Sequence, residues 1–310
     1  MKEFLIKRND AGQRLDKFIE KTTVNMPKSL IYKAIRTKKI KVNRKRAEAN
    51  QMLCEGDIVL MFISPDFFVP ENTDEYFMQL TPKIDIVYED ENILLVNKKV
   101  GMSCIPDERE ENDTLINHIK AYLYQKGEYK PEEESSFAPS LCNRIDRNTC
   151  GIVIAAKNAE TLRDLNHKIK HRLIDKKYLC IVHGIPTKKE DTLTGYLIKD
   201  SKTNMVKVFD KEPKYGDAKS IKTKYKVLES KNGLSLLDVE LLTGRTHQIR
   251  AHMAHIGHPL LGDGKYGINR DDKKQGYKYQ ALCSYCTIID GKEYMIDPES
   301  IWFVQDFNKN

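Results

Sequence analysis

The stretch NRIDRNTCGIVIAA, residues 143–156, is the most informative part of this 310-residue sequence. Its second half is an apolar, β-branched run that predicts a buried strand. Its first half sets one carboxylate, Asp146, between the guanidinium groups of Arg144 and Arg147. Nearby positive charge favours the ionised carboxylate, and Gly151 permits an unusual backbone where the strand begins. An ionised acid there is a candidate nucleophile or base, and a structural salt bridge is the alternative.

A second long motif, LLTGRTHQIRAHMAHIGHPLLGDGKYG, covers residues 241–267. It predicts a short helix between glycines. If Thr246 opens this helix, Thr246 and Arg250 lie one turn apart on one face, while Ile249 and Met253 face a core. Arg250 would then point toward an anion, either a carboxylate or a phosphate.

The same motif raises the question of a metal site, because it contains His247, His252, His255 and His258. Their spacing lacks the interleaved acid of a metalloprotease motif. The lone CxxC at Cys283 and Cys286 lacks the second ligand pair of a structural zinc site. We therefore expect no metal, and a metal-dependent hydrolase is the weakest of the functional alternatives.

The sequence around these motifs is rich in predicted strands. Apolar runs on either side of EDEN, residues 89–92, predict a hairpin. Residues 114–124 and 159–172 have helical periodicity, whereas KYLCIVHG, SIKTKYKVLE and GLSLLDVELL predict strands. Because strands and helices do not alternate regularly, the expected fold class is α+β, with a body built around a mixed sheet.

Positive charge is concentrated at the N-terminus. The chain has a net charge of +7, and its first 63 residues hold 15 Lys and Arg against 7 Asp and Glu. This asymmetry indicates a polyanion-binding module joined to a nearly neutral body. Apolar residues at helical spacing predict two helices in this module, followed by a basic turn and a strand. Residues 64–82 are proline-containing and predict a linker, so the expected domains are 1–63 and 83–310.

Several protein classes are disfavoured by composition. The sequence has neither an apolar run of membrane-spanning length nor an N-terminal signal-peptide pattern. Its seven cysteines are scattered, which is typical of a reducing compartment. We therefore expect a cytoplasmic protein without a membrane partner. Nothing in the sequence points away from a monomer.

The segment RLDKFI…KSLIYKAIRTKKIKVNRKR…EGDIV, within residues 12–63, resembles the S-four-type RNA-binding domain. The resemblance implies a small α-β domain that binds structured RNA through its phosphates. A small basic domain with another partner is the alternative. The residues predicted to bind RNA in this segment are Arg14, Lys28, Ser29, Lys33, Arg36, Lys38, Lys39, Lys41, Arg44, Lys45 and Arg46.

The chain from the EDEN hairpin to about residue 290 resembles the RluA-type RNA pseudouridine synthases, in particular the ribosomal large-subunit branch. The motifs that carry this resemblance are, in order, IVYEDENILLVNKKVGM, NRIDRNTCGIVIAAKN, DKKYLCIVHG and the 241–267 motif. The resemblance implies a mixed, mainly antiparallel sheet and the isomerisation of uridine in RNA to its carbon-linked form. It implies no cofactor and no metal. Ribosomal RNA is the expected substrate and transfer RNA the alternative.

The resemblance also implies a role for four residues. Asp146 matches the family's catalytic aspartate, which attacks the ribose or promotes loss of the base. Arg250 matches the basic residue that pairs with that aspartate. Tyr178 matches a tyrosine that stacks near the uracil and assists removal of the ring proton, although a phenol with its ordinary pKa of about 10 needs help to act as a base. Arg144 matches the arginine that fills the gap left by a flipped base.

The sequence departs from the usual family pattern at four positions. Asn143 and Gln280 stand where histidine is common, Lys99 where proline is usual, and Cys150 where serine is usual. These changes leave the aspartate, the tyrosine and the second arginine in place. A non-catalytic RNA-binding or ribosome-assembly protein that retains the fold is the remaining alternative.

Overall fold

A computed structural model of the chain describes residues 1–68, 76–106, 112–200 and 202–309. The chain divides into two compact units that interleave along the sequence. The first comprises Met1–Lys83, Ile116–Ser140 and Ala156–Asp164, and the second comprises Ile84–Leu115, Leu141–Ala155 and Leu165–Asn310. The predicted domains 1–63 and 83–310 stay a prediction, as does the 64–82 linker, of which residues 69–75 lie outside the described chain.

The N-terminal part of the first unit combines two helices with a small antiparallel sheet. Its elements are β1 (Lys2–Leu5), α1 (Leu15–Thr22), α2 (Lys28–Arg36), β2 (Ile40–Val42), β3 (Lys45–Arg46) and β4 (Ile58–Met61). The strands lie in the order β1-β4-β2-β3. The predicted apolar stripe of α1 is buried, with Leu15, Phe18 and Ile19 at 0 % exposure, so the two-helix prediction is confirmed.

Almost all of a large sheet lies in the second unit. Its strands are β5 (Ile86–Glu89), β6 (Ile93–Lys98), β7 (Ser140–Leu141), β8 (Cys150–Ala156), β9 (Ile174–His183), β10 (Glu190–Asp200), β11 (Met205–Phe209), β12 (Lys219–Lys231), β13 (Leu234–Leu241), β14 (Leu282–Ile289) and β15 (Lys292–Met295). The order is β11-β10-β12-β13-β9-β14-β8-β6-β5, with β15 on β14 and β7 on β8. Among pairings of described register in this sheet, β8 with β14 is parallel and the rest are antiparallel. The α+β class with a mixed, mainly antiparallel sheet is confirmed.

The remaining helices are α3 (Leu115–Gln125), α4 (Ala159–Lys170), α5 (Gln248–His255), α6 (Arg270–Lys274) and α7 (Trp302–Lys309). The predicted hairpin is β5 and β6, and the helices predicted at 114–124 and 159–172 are α3 and α4. The sequence pattern did not predict β10, β11, β14 or β15. None of the helices in the described ranges is long and apolar enough to cross a bilayer.

Gly151 lies where β8 runs closely beside β14, next to the loop that carries Asp146. Its φ is +116°, and a Cβ at this position would overlap the backbone oxygen of Ser284. Only glycine therefore allows the two backbones to approach this closely. The close approach sets the position of the strand that begins just after Asp146.

We expect Gly151→Ala to lower the free energy of unfolding by about 3 kcal/mol or more, because it combines backbone strain with a clash against main chain. The matched control is Gly233→Ala, where φ is +76° but a Cβ meets no atom within 4 Å. That control should lose only about 1–2 kcal/mol from the left-handed backbone alone. Urea unfolding of both variants tests this, and equal losses would show that the strand contact contributes nothing.

Candidate active site

Asp146 lies in the loop before β8, with its side chain 25 % exposed. Its backbone oxygen accepts from Thr149 N at 3.0 Å, which closes a turn. The expected bracket of neighbouring arginines does not supply its ion pair: Arg147 Nε donates to Gly101 O at 2.9 Å, and Arg144 is exposed. The partner is Arg250 of α5, whose Nη1 donates to Asp146 Oδ2 at 2.8 Å. The pairing of Asp146 with Arg250, implied by the resemblance, is thus present.

Arg250 is shared between two carboxylates. Its Nε and Nη2 donate to the two oxygens of Asp263 at 2.7 and 2.9 Å, and Asp263 is fully buried. Burial lowers the pKa of Arg250, but the hydrogen bonds and charges of Asp263 and Asp146 outweigh burial and raise it above its ordinary value. One buried cation therefore serves two anions, and the three groups together keep a net negative charge.

Asp263 was not among the predicted site residues, although it lies in the GDGKYG loop that ends the 241–267 motif. The loop residues Lys265 and Tyr266 donate their backbone N–H groups to Asp263 Oδ1 at 2.9 and 3.2 Å. Burial raises the pKa of Asp263, whereas Arg250 lowers it, and the net shift is downward. The GDGKYG loop therefore holds a carboxylate for Arg250. The sequence signal that could have identified it is an aspartate between two glycines, thirteen residues after Arg250.

Helix α5 begins later than expected. The prediction that Thr246 opens the helix is wrong, because His247 has a left-handed backbone with φ of +53° and the helix starts at Gln248. Gln248 is buried, and its Oε1 accepts from Arg245 N at 3.1 Å and from Thr243 Oγ1 at 2.9 Å. These bonds fix the start of the helix. Arg250 consequently faces Asp146 and Asp263 inside the protein.

Lys98, at the end of β6, fastens the loop that follows it to the loop of Asp146. It is 1 % exposed, and its Nζ donates to the backbone oxygens of Lys99, Met102 and Arg147 at 3.0, 2.9 and 2.9 Å. All three ammonium hydrogens are thus used. Sequence reasoning missed this residue, because a lysine at a strand end is usually exposed.

Lys98 predicts a pH effect on stability. Burial lowers its pKa from 10.5 to about 8. The folded protein therefore releases this proton before the unfolded chain does, so the contribution of Lys98 to the free energy of unfolding rises with pH between those values, by at most about 3 kcal/mol. Urea unfolding from about pH 7.5 to about pH 10 should show this rise in the wild type relative to Lys98→Met. Parallel pH profiles for the two proteins would contradict it.

Tyr178 of β9 is 6 % exposed and packs with Ile249 and Leu282 in one apolar cluster. Burial raises its pKa to about 12, a hydrogen bond with Ser284 opposes this, and the charge of Asp146 adds to it. The phenol therefore keeps its proton at neutral pH. Stacking against the uracil and assistance in removing the ring proton both stay predictions.

The four histidines of the 241–267 motif turn to separate partners. His247 contacts Tyr266 OH, His252 contacts Thr223 Oγ1, His255 contacts Asp210, and His258 contacts the backbone oxygen of His183, at 2.8–3.0 Å. Within the described ranges, no three His, Cys, Asp or Glu side chains are grouped as metal ligands. In the CxxC, Cys286 Sγ donates to Glu293 at 3.1 Å.

Apart from Arg14 and Arg144, the predicted RNA-binding residues lie in the first unit, on α2 and on the segment after it that contains β2 and β3. All are exposed except Lys41, which is half-buried. Lys38 and Arg44 have positive φ values and so shape the turns on either side of β2. Arg14 precedes α1 and is already engaged, because its Nε and Nη2 donate to Asp16 at 3.0 and 2.8 Å. RNA contact by any of these residues stays a prediction.

The fold and the site define an enzyme-like α+β body, with an arginine-held carboxylate, in a chain that also carries a basic module. The family model described as RNA pseudouridylate synthase matches residues 92–255, and the S4 domain model matches residues 13–59. The chain belongs to the RNA pseudouridylate synthase family. It is an isomerase that converts uridine in RNA to pseudouridine, and both predicted resemblances are confirmed.

The sequence similarity to known proteins covers most of the chain. An uncharacterized RNA pseudouridine synthase of Mycoplasma genitalium is 32% identical, over 91% of this chain and 87% of its own. The ribosomal large subunit pseudouridine synthase C of Buchnera aphidicola subsp. Baizongia pistaciae is 32% identical, over 86% and 81%. The structure of human RNA pseudouridylate synthase domain containing 1 shares the fold, with a TM-score of 0.56 and 22% identity over 72% of this chain and 87% of that one.

Proposed function

We propose that this isomerase modifies uridines of ribosomal RNA. Relatives named ribosomal large subunit pseudouridine synthase C support this: besides the Buchnera protein, that of Vibrio vulnificus is 30% identical over 84% of this chain and 79% of its own. The S4 domain and its exposed lysines and arginines suit a large structured RNA, which such modules contact through the backbone. Transfer RNA is the competing substrate.

We assign the role of nucleophile to Asp146, and the Arg250–Asp146 ion pair of 2.8 Å carries this assignment. Asp146 is partly exposed, so a ribose can reach it. Its partner Arg250 is only 6 % exposed and is fixed in place by its ion pair with Asp263. A carboxylate that a buried arginine holds in one orientation suits attack on a sugar carbon. Because Arg250 also neutralises Asp263, it orients Asp146 without cancelling its charge.

The target uridine must leave its stack to reach Asp146, so we include base flipping in the mechanism. The exposed side chain of Arg144, two residues before Asp146, suits the role of filling the vacated position. The protonated phenol of Tyr178 suits contact with the flipped base.

We further propose that the enzyme acts in the cytoplasm as a monomer and needs neither cofactor nor metal. The scattered cysteines support a reducing compartment. The charge of Asp146 and the hydrogen bonds of Arg250 supply the chemistry that the assigned steps require. Gel filtration tests whether the protein is a monomer, and activity in the presence of a chelator tests whether it needs a metal.

The direct test is tritium release from RNA transcripts that carry uridine labelled at ring carbon five. Unmodified large-subunit ribosomal RNA should release tritium, and transfer RNA transcripts should not. Tritium release from transfer RNA alone would show that transfer RNA, and not ribosomal RNA, is the substrate. No release from any RNA, with binding intact, would favour the assembly-protein alternative, and ribosomal particles caught during assembly would be the last substrate to try.

A further inference from the structure

His247 lies beside Asp146, and the Arg250–Asp146 ion pair does not explain why it is there. Its side chain is 8 % exposed, and its Nε2 is 3.7 Å from Asp146 Oδ2, the oxygen that Arg250 also contacts. Its backbone is left-handed, a conformation that a residue other than glycine adopts at some energetic cost. An unfavourable backbone at the start of α5 thus places an imidazole against the proposed nucleophile.

The contact made by the other ring nitrogen of His247 favours one tautomer. Nδ1 is 2.8 Å from Tyr266 OH, and that hydroxyl oxygen already accepts from Val206 N at 2.9 Å. With Val206 N already donating to this oxygen, the arrangement that uses every group has the hydroxyl donating its own hydrogen to Nδ1. Burial raises the pKa of Tyr266, so the phenol keeps that hydrogen. The neutral imidazole then carries its hydrogen on Nε2, the nitrogen nearest Asp146.

The imidazole is also uncharged. Burial lowers the pKa of His247 to about 4; the charge of Asp146 opposes this shift, and Arg250 and Lys265 add to it. Throughout the neutral range His247 offers an N–H group without adding positive charge. It can therefore orient the carboxylate while leaving its negative charge to the reaction.

We infer that His247 is a positioning residue for the reaction: with Arg250 it holds Oδ2 of Asp146 and leaves Oδ1 as the oxygen that reacts with the RNA. Within the described chain, no group donates a hydrogen bond to Oδ1. Closing the 3.7 Å separation when RNA enters would turn the contact into a hydrogen bond. Tyr266 keeps His247 in the tautomer that this requires. The inference rests on the proposed nucleophile.

Three substitutions of His247 separate orientation from structure. His247→Ala removes both ring contacts. His247→Gln places an amide N–H at about the reach of Nε2 and so keeps a donor for Asp146. His247→Asn tolerates the left-handed backbone and can still bond Tyr266, but it is too short to reach Asp146.

Single-turnover tritium release on the wild type's RNA substrate measures the chemical step, filter binding measures RNA affinity, and thermal unfolding measures stability. We expect His247→Ala and His247→Asn to slow the step by about 10- to 100-fold, with RNA affinity within about twofold of the wild type. His247→Gln should recover to within about fivefold of the wild-type rate. The single-turnover rate of Tyr266→Phe should lie between those of His247→Ala and His247→Gln.

A wild-type rate in His247→Ala would overturn the inference, as would full activity in His247→Asn together with loss in His247→Gln. Slow chemistry that follows lost stability across all variants would show a purely structural residue. If the wild type itself forms no pseudouridine on any RNA, the proposed function fails instead, so the two failures are distinguishable.

Discussion

Asp146→Asn is expected to fold, to bind RNA as the wild type does, and to form pseudouridine at least about a thousandfold more slowly. Asparagine has nearly the same shape, and its amide oxygen can still accept from Arg250. It lacks the negative charge and the nucleophilic oxygen that the proposed mechanism requires. Because Asp146 is one-quarter exposed, loss of its side of the ion pair should change the free energy of unfolding by only about 1 kcal/mol.

Tritium release, filter binding and thermal unfolding measure the three quantities on one preparation. Asp217→Asn is the matched control, since its side chain is 83 % exposed and its partner is Lys219. That control should retain the wild-type rate. An Asp146→Asn rate close to the wild type would remove the nucleophile from the mechanism, whereas lost RNA binding would mean that Asp146 acts in recognition.

The elements of the fold that local pattern predicts are those with strong periodicity. The apolar stripe of α1 and the apolar run of β8 could be read directly from the sequence. Strand β10 could not, because its residues alternate between exposed and half-buried over much of its length and include Gly195. Its existence depends on pairing with β11 and β12, which is set by contacts distant in sequence.

The same distinction holds in the site. The 143–156 stretch identified Asp146, but its partner lies 104 residues away on α5. Family resemblance supplied that pairing, whereas local charge suggested the neighbouring arginines. Lys98 and Asp263 were missed because each is a charged residue whose burial is decided by tertiary contacts. A sequence pattern shows which residues are capable of chemistry, and the fold decides which of them meet.

Arg250 contributes to stability as well as to the reaction, because it neutralises the buried Asp263 in addition to pairing with Asp146. In Arg250→Met the carboxylate of Asp263, at 0 % exposure, loses the cation that neutralises it. An unpaired buried charge of this kind lowers the free energy of unfolding by about 3–5 kcal/mol. Because Asp146 also loses its partner, pseudouridine formation should fall by at least about a hundredfold.

The double variant Arg250→Met with Asp263→Asn separates the two roles. The amide oxygen that replaces Oδ1 of Asp263 can still accept from Lys265 N and Tyr266 N. We therefore expect the double variant to have a free energy of unfolding about 1–3 kcal/mol higher than that of Arg250→Met alone. Activity should stay as low as in the single variant, because Asp146 remains unpaired. Lowering the pH should reduce the difference in stability between the single and the double variant, because Asp263 of the single variant can then take up a proton. Equal stability of single variant and wild type would refute the buried-charge argument, and recovered activity in the double variant would show that Asp146 reacts without its arginine.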